Sequence, residues 1–118
     1  MWAGAFNPLW YTENGVLKEI KANKQPIGYA EDLKPFTNHT ILNLKSDDSL
    51  YLFTDGLADQ FGGPKGKKYK YKQLEEVLMS CRNKTYDEQK IVLRNSFDEW
   101  KGNLEQVDDV TVIAIQVA

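Results

Sequence analysis

Asp55 and Asp108 are the two residues of this chain whose setting suits chemistry. Asp55 closes the apolar stretch Leu50-Tyr51-Leu52-Phe53-Thr54 and is followed by Gly56, while Asp108, through Asp109, opens the stretch Val110 to Val117. If both stretches are strands that pair antiparallel, the end of one and the start of the other share a sheet edge, and the carboxylates converge. Two carboxylates held together in a partly dry place need a compensating cation or a raised pKa. Carboxylate oxygens with no cysteine or histidine cluster nearby favour a hard ion, Mg²⁺ or Mn²⁺, over zinc. Taken alone, Asp-Gly after a strand is a common turn and Asp-Asp before one a common solvated start. What singles these acids out is that each abuts one of the two most apolar strands.

Other chemistry is thin. His39, in Asn38-His39-Thr40, is the only histidine and reads as a surface residue at a strand start. Cys81 falls on the apolar stripe of a helix, where a packed thiol is expected and a reactive one is not. No Cys/His or Ser/His nucleophile pair can be assembled. Lys65, Lys67, Lys68, Lys70 and Lys72, interleaved with Tyr69 and Tyr71, form one local basic cluster. It reads as a solvated loop, with Lys65, Lys67 and Lys68 as candidates for docking a phosphoprotein.

The positioning elements follow from pattern. Asn14-Gly15 between Ala5–Thr12 and Val16–Ile20 predicts a hairpin with a type I′ turn. A loop over Lys21–Pro35 holds Gln25-Pro26-Ile27-Gly28. A third strand is expected over Thr37–Leu44, a turn at Ser46–Ser49, and a fourth strand at Leu50–Thr54. Leu57–Phe61 is expected to begin a short helix before Gly62–Gly66 makes a flexible loop. Leu74, Val77, Leu78 and Cys81 share one helical face, and Thr85 with Glu88 has capping-box spacing for a second helix over Tyr86–Lys101, stopped by Gly102. Val110 to Val117, rich in β-branched residues, reads as a central, buried strand. The fold class is α+β: an antiparallel sheet with a helical pair on one face.

With 118 residues the chain fits one small domain, and a net charge of −2 provides no overall pull toward nucleic acid or an anionic membrane. No apolar run approaches the roughly 20 residues that cross a bilayer. The single cysteine excludes an internal disulfide and suits a cytoplasmic setting. The start, Met1 to Phe6, passes straight into strand-like sequence, as expected of a boundary inside a larger domain.

Phe53-Thr54-Asp55-Gly56 resembles the strand-ending Tyr/Phe-Thr/Ser-Asp-Gly motif of SpoIIE-like phosphatases of the type 2C (PPM) family, and Asp108-Asp109-Val110-Thr111 resembles their closing Asp-Asp/Asn-x-Thr/Ser motif. Ala3 to Leu9 is similar to their AGAxNPL strand, and Gln25-Pro26-Ile27-Gly28 to their Leu/Pro-Leu/Ile-Gly loop, so the resemblance runs the length of the chain. It implies part of an α/β/β/α sandwich, with residues 1–118 as the C-terminal portion of one phosphatase domain. It further implies that Asp55 and Asp108 are ligands of a centre of two Mg²⁺ or Mn²⁺ ions that hydrolyses phosphoserine or phosphothreonine on a regulatory protein, such as an anti-sigma-antagonist-like partner. Asp109 and Gly56 would support the site, and Asp59 is a candidate outer or third-metal ligand. The family's first metal motif, D-x-x-G-H-G, has no counterpart here. The chain alone is therefore expected to be inactive, to self-associate through uncovered strands and to make no membrane contact, although upstream domains could tether the full-length protein. The rival expectation is a non-catalytic interaction module that keeps the fold.

Overall fold

In the computed structural model, which describes residues 1–118, the elements in chain order are β1 (Leu9–Glu13), β2 (Val16–Ile20), β3 (Ser49–Phe53), α1 (Gly56–Asp59), β4 (Phe61–Gly62), β5 (Lys67–Lys68), α2 (Tyr71–Ser80), α3 (Tyr86–Lys101) and β6 (Val112–Gln116). The chain divides into two compact units, Met1–Phe53 with Val112–Ala118, and Thr54–Thr111. The antiparallel sheet and the helices make the fold α+β, as the patterns predict.

In the first unit, Asn14 and Gly15 take φ of 51° and 77°. That pair of positive values is what a type I′ turn requires, so β1 and β2 pair from Glu13↔Val16 to Leu9↔Ile20. β3 then joins β1, and β6 joins β3, all antiparallel, in the order β2-β1-β3-β6. Trp10, Tyr51 and Phe53 share one face and are buried, with the Trp10 and Phe53 rings edge-on at 4.5 Å. The alternate residues Leu50, Leu52, Ile113 and Ile115 share the opposite face. Before β3, Asp48 makes the turn: its Oδ2 accepts from the Lys45 N–H at 2.8 Å, and the Thr12 hydroxyl accepts from the Ser49 N–H at 2.8 Å.

Three expectations for this unit are corrected. β1 begins at Leu9 instead of Ala5, because Phe6 has φ of 58° and Pro8 has no N–H to donate. Thr37–Leu44 is not a strand: His39 alone exchanges backbone bonds with Trp2, both at 2.7 Å, and Leu42 is exposed. β1 and β3 are each already paired on both edges, so no ladder position remains for it there. β6 is neither central nor buried, since it lies at the sheet edge with Ile113 49% and Ile115 45% exposed. His39 is half-buried, its ring 5.9 Å from that of Trp2.

In the second unit, Leu57, Ala58, Tyr69, Leu74, Leu78 and Cys81 form the core. Thr85 caps α3 by the full capping box: its hydroxyl accepts from the Glu88 N–H at 3.3 Å, and Glu88 Oε2 accepts from the Thr85 N–H at 3.0 Å. Gly102, with φ of 53°, ends the helix where the spacing places the stop. In place of the expected loop at Gly62–Gly66, Gly62 pairs in a two-rung hairpin of β4 with β5, and Gly63–Gly66 form its tip. Gly62 and Gly63 are dictated by Trp100. A Cβ on Gly62 would lie 1.8 Å from the Trp100 carbonyl oxygen, and one on Gly63 2.6 Å from its ring. Burial pushes the Cys81 thiol pKa up, in keeping with a packed, unreactive cysteine.

Candidate functional site

Thr54 is the hinge on which the two acidic motifs meet. Its N–H donates to the Thr111 carbonyl at 3.0 Å, its hydroxyl donates to the Asp109 carbonyl at 3.2 Å, and the same oxygen accepts from the Thr111 N–H at 3.0 Å. A hydroxyl residue before Asp55 thus serves as donor and acceptor to the segment carrying Asp108 and Asp109. Val at this position would fill the space and leave both backbone groups without that partner.

The next residues extend the contact. Gly56 lies so close to Asp109 that a Cβ there would sit 2.1 Å from the Asp109 carbonyl oxygen. The glycine of the first motif is therefore a requirement of close backbone approach to the second. Asp55 occupies the N-cap position of α1 but with φ −76° and ψ −9°, already helical, and its side chain makes no capping bond. An N-cap normally needs extended backbone to turn its oxygen onto the helix N–H groups. Asp55 is exposed, and its carboxylate is left for another partner. Asp108 is also exposed; its Oδ1 accepts from the Asp109 N–H at 2.7 Å, which leaves further lone pairs.

The supporting residues behave unevenly. Asp109 meets the Asp55 motif through its main chain: its carbonyl accepts from the Thr54 hydroxyl and lies against Gly56. Asp59 pairs with Lys68 Nζ at 3.4 Å, and Lys68 also stands over the Phe61 ring at 5.9 Å. Those two charges offset each other, whereas Lys65 and Lys67 stand exposed on the hairpin. Tyr69 does not belong to a solvated basic loop: it is 2% exposed, shares a 2.6 Å hydrogen bond with Ser96 and meets Trp100 edge-on at 5.7 Å. Burial pushes its pKa up, an effect partly opposed by the Ser96 bond.

Gln60 is the structural residue that spacing did not flag, and its partner is Trp100, on the apolar stripe of α3. Trp100 Nε1–H donates to the Gln60 carbonyl at 3.0 Å, and the Trp100 carbonyl accepts from the Gly63 N–H at 2.8 Å. A lone glutamine carries no periodic signal; the only hint is its place between a short helix and two glycines.

A divalent ion tests well against the donors present. They are carboxylate oxygens, one of them unpartnered, with no thiol or imidazole beside them, which suits a hard ion. Nowhere, however, do three or more His, Cys, Asp or Glu side chains gather into a metal-holding group.

Comparison with known proteins places this arrangement in a class, the PP2C phosphatase domains. The SiaA PP2C domain of Pseudomonas aeruginosa superposes with a TM-score of 0.83 at 26% identity, over 98% of this chain and 45% of that one. The PP2C domain of the cell fate determinant SpoIIE from Bacillus subtilis, solved with a fragment of its regulatory domain, matches with a TM-score of 0.65 at 22% identity, over 95% of this chain and 32% of that one. A Mn-presoaked crystal of the same phosphatase domain matches at 0.60 and 18% identity, over 93% and 46% of the two chains. This chain thus spans less than half the length of each. No match is found among curated proteins. The family described as Stage II sporulation protein E (SpoIIE) matches over residues 1–118, and the chain belongs to it.

Proposed function

We propose that these residues form the C-terminal portion of a metal-dependent protein serine/threonine phosphatase domain, in which Asp55 and Asp108 are ligands of Mg²⁺ or Mn²⁺. The observation that carries this reading is the backbone contact of Gly56 with Asp109, which joins the two acidic motifs while the Asp55 carboxylate stays free of any cap. Two divalent ions, when bound, supply Lewis acidity and a water of lowered pKa for attack on a phosphoserine or phosphothreonine ester. The chain's own part is to hold Asp55 and Asp108 and, through the exposed Lys65 and Lys67, to attract the anionic substrate. Lys68 and Asp59, paired with each other, are weaker candidates for docking and for an outer ligand.

A D-x-x-G-H-G motif is absent from this chain, so the complete cage and the activity are assigned to a longer domain, acting in the cytoplasm on a phosphorylated regulatory protein of anti-sigma-antagonist type. For the chain by itself we propose weak metal binding, no useful turnover, and self-association through the half-exposed β6 edge.

Mn²⁺ titration followed by electron paramagnetic resonance tests the ligand assignment. Wild type is expected to bind measurably and Asp55→Asn and Asp108→Asn to lose most of that binding with unchanged circular dichroism. Equal Mn²⁺ binding by all three would leave the non-catalytic interaction module as the reading. Mn²⁺-dependent phosphatase turnover by the 118-residue chain, abolished in Asp55→Asn, would show that the cage is complete without further sequence.

A further inference from the structure

We propose that Gln60 is a positioning residue that braces the Asp108 segment against α1, setting the carboxylate's place from outside the ligand set. The inference rests on Asp108 being a metal ligand.

Gln60 is fully buried, at 0% exposure, in a chain where only four polar or charged residues are buried at all. Its Nε2 donates twice: to the Phe61 carbonyl at 3.0 Å and to the Glu105 carbonyl at 2.9 Å. The second bond spans 45 residues of sequence and lands three residues before Asp108. Its backbone is held as firmly, with the carbonyl accepting from the Tyr69 N–H at 2.9 Å and from Trp100 Nε1–H at 3.0 Å. Gln60 thus directly follows α1, whose N-cap is Asp55, and reaches the loop that ends in Asp108.

The loop is otherwise lightly held. Between Glu105 and Asp108 the bonds are local: Gln106 Nε2 donates to the Asp108 carbonyl at 2.9 Å, and the Asp109 N–H to Asp108 Oδ1 at 2.7 Å. Downstream, Asp109 is pinned by Thr54 and Gly56. Asp108 is therefore suspended between two anchors, Thr54 with Gly56 after it and Gln60 before it, and removing one lets the carboxylate swing about the other. Outer groups that orient metal ligands act in this way.

Burial of a glutamine for shape alone is a poor explanation, because its Oε1 is buried with no hydrogen-bond partner. A methionine would fill the same space without that unpaired oxygen, and an orphaned buried acceptor is unfavourable. What methionine cannot do is donate to Glu105.

Gln60→Met in the 118-residue chain separates the two roles. The melting temperature is expected to hold within a few degrees, because an unpaired oxygen is lost along with the donor bonds. Hydrogen exchange at the Asp109 amide, bonded to the Asp108 carboxylate, should accelerate about tenfold while that at Thr111, held by Thr54, stays unchanged, and Mn²⁺ affinity should fall about tenfold. Unchanged exchange at Asp109 overturns the proposal, and so does accelerated exchange there with wild-type Mn²⁺ affinity. Failure of wild type to bind Mn²⁺ at all would overturn the metal reading, while exchange alone then decides the brace. Should Gln60→Met not fold, nuclear Overhauser contacts between the Gln60 side-chain amide protons and Gln106 in wild type decide it, and their absence refutes the bond.

Discussion

The Cα of Gly56 and the carbonyl oxygen of Asp109 are packed so closely that a methyl group on the glycine would stand 2.1 Å from that oxygen. The atom in the way is backbone, hydrogen-bonded by Thr54, and has no rotamer by which to move aside. Two short motifs separated by more than fifty residues of chain are thereby joined without any side chain at the glycine.

Gly56→Ala is accordingly expected to destabilise the chain by about 1–3 kcal/mol, the usual range for overpacking a tight site. Urea unfolding measures this directly. A change below about 0.5 kcal/mol, the range of an ordinary surface substitution, would mean that the Asp109 segment yields freely.

Thr85→Ala removes one half of the capping box on α3 and strands the other half. A loss of about 1 kcal/mol is expected, and Thr85→Ser, which keeps the hydroxyl, should recover most of it. Equal midpoints for all three proteins would show that the box contributes nothing in solution.

Stability should fall in alkali through Tyr69. Burial raises its pKa, so at a pH just above the ordinary tyrosine value, about 10, the unfolded chain has lost the proton while the folded chain keeps it. Protons bound in the unfolded state are then fewer than in the native one, and the slope of unfolding free energy with pH is negative. The contribution is complete below about pH 10 and is lost as pH rises through the folded pKa. Tyr69→Phe should be less stable at pH 7, lacking the Ser96 bond, yet flatter from about pH 9 to about pH 11, roughly one unit either side of the ordinary value. Parallel profiles for the two proteins would assign the alkaline loss elsewhere.

Ile113 and Ile115 put half-exposed apolar surface on a strand whose outer edge has no ladder partner. Such edges pair with other chains unless blocked. Sedimentation at micromolar concentration is expected to show dimers or larger species for wild type and monomer for Ile115→Lys. A wild-type monomer that binds no apolar dye would refute self-association.

Local pattern was enough for the elements that hold themselves together. The Asn14-Gly15 hairpin, the Thr85/Glu88 box, the stop at Gly102 and the apolar face of α2 each depend on residues within a few positions of one another, and each stands where spacing predicts. The family was equally legible in its short motifs, because their residue types can be read without any partner. Legibility ended where an element needs a distant partner. Thr37–Leu44 has strand composition but joins no ladder beyond the single His39 bridge to Trp2, and β6 has the composition of a central strand but only one neighbour. Tyr69 sits among lysines yet is buried by Ser96 and Trp100, which come from α3. Gln60, in the same way, owes its role to a carbonyl 45 residues away. Local sequence determined turns, caps and periodic faces, since their bonds close within a few residues. Only the tertiary structure decided which edges are paired, which polar groups are buried and which backbone must pass within reach of Gly56, because those depend on atoms that the chain brings together only after it has folded.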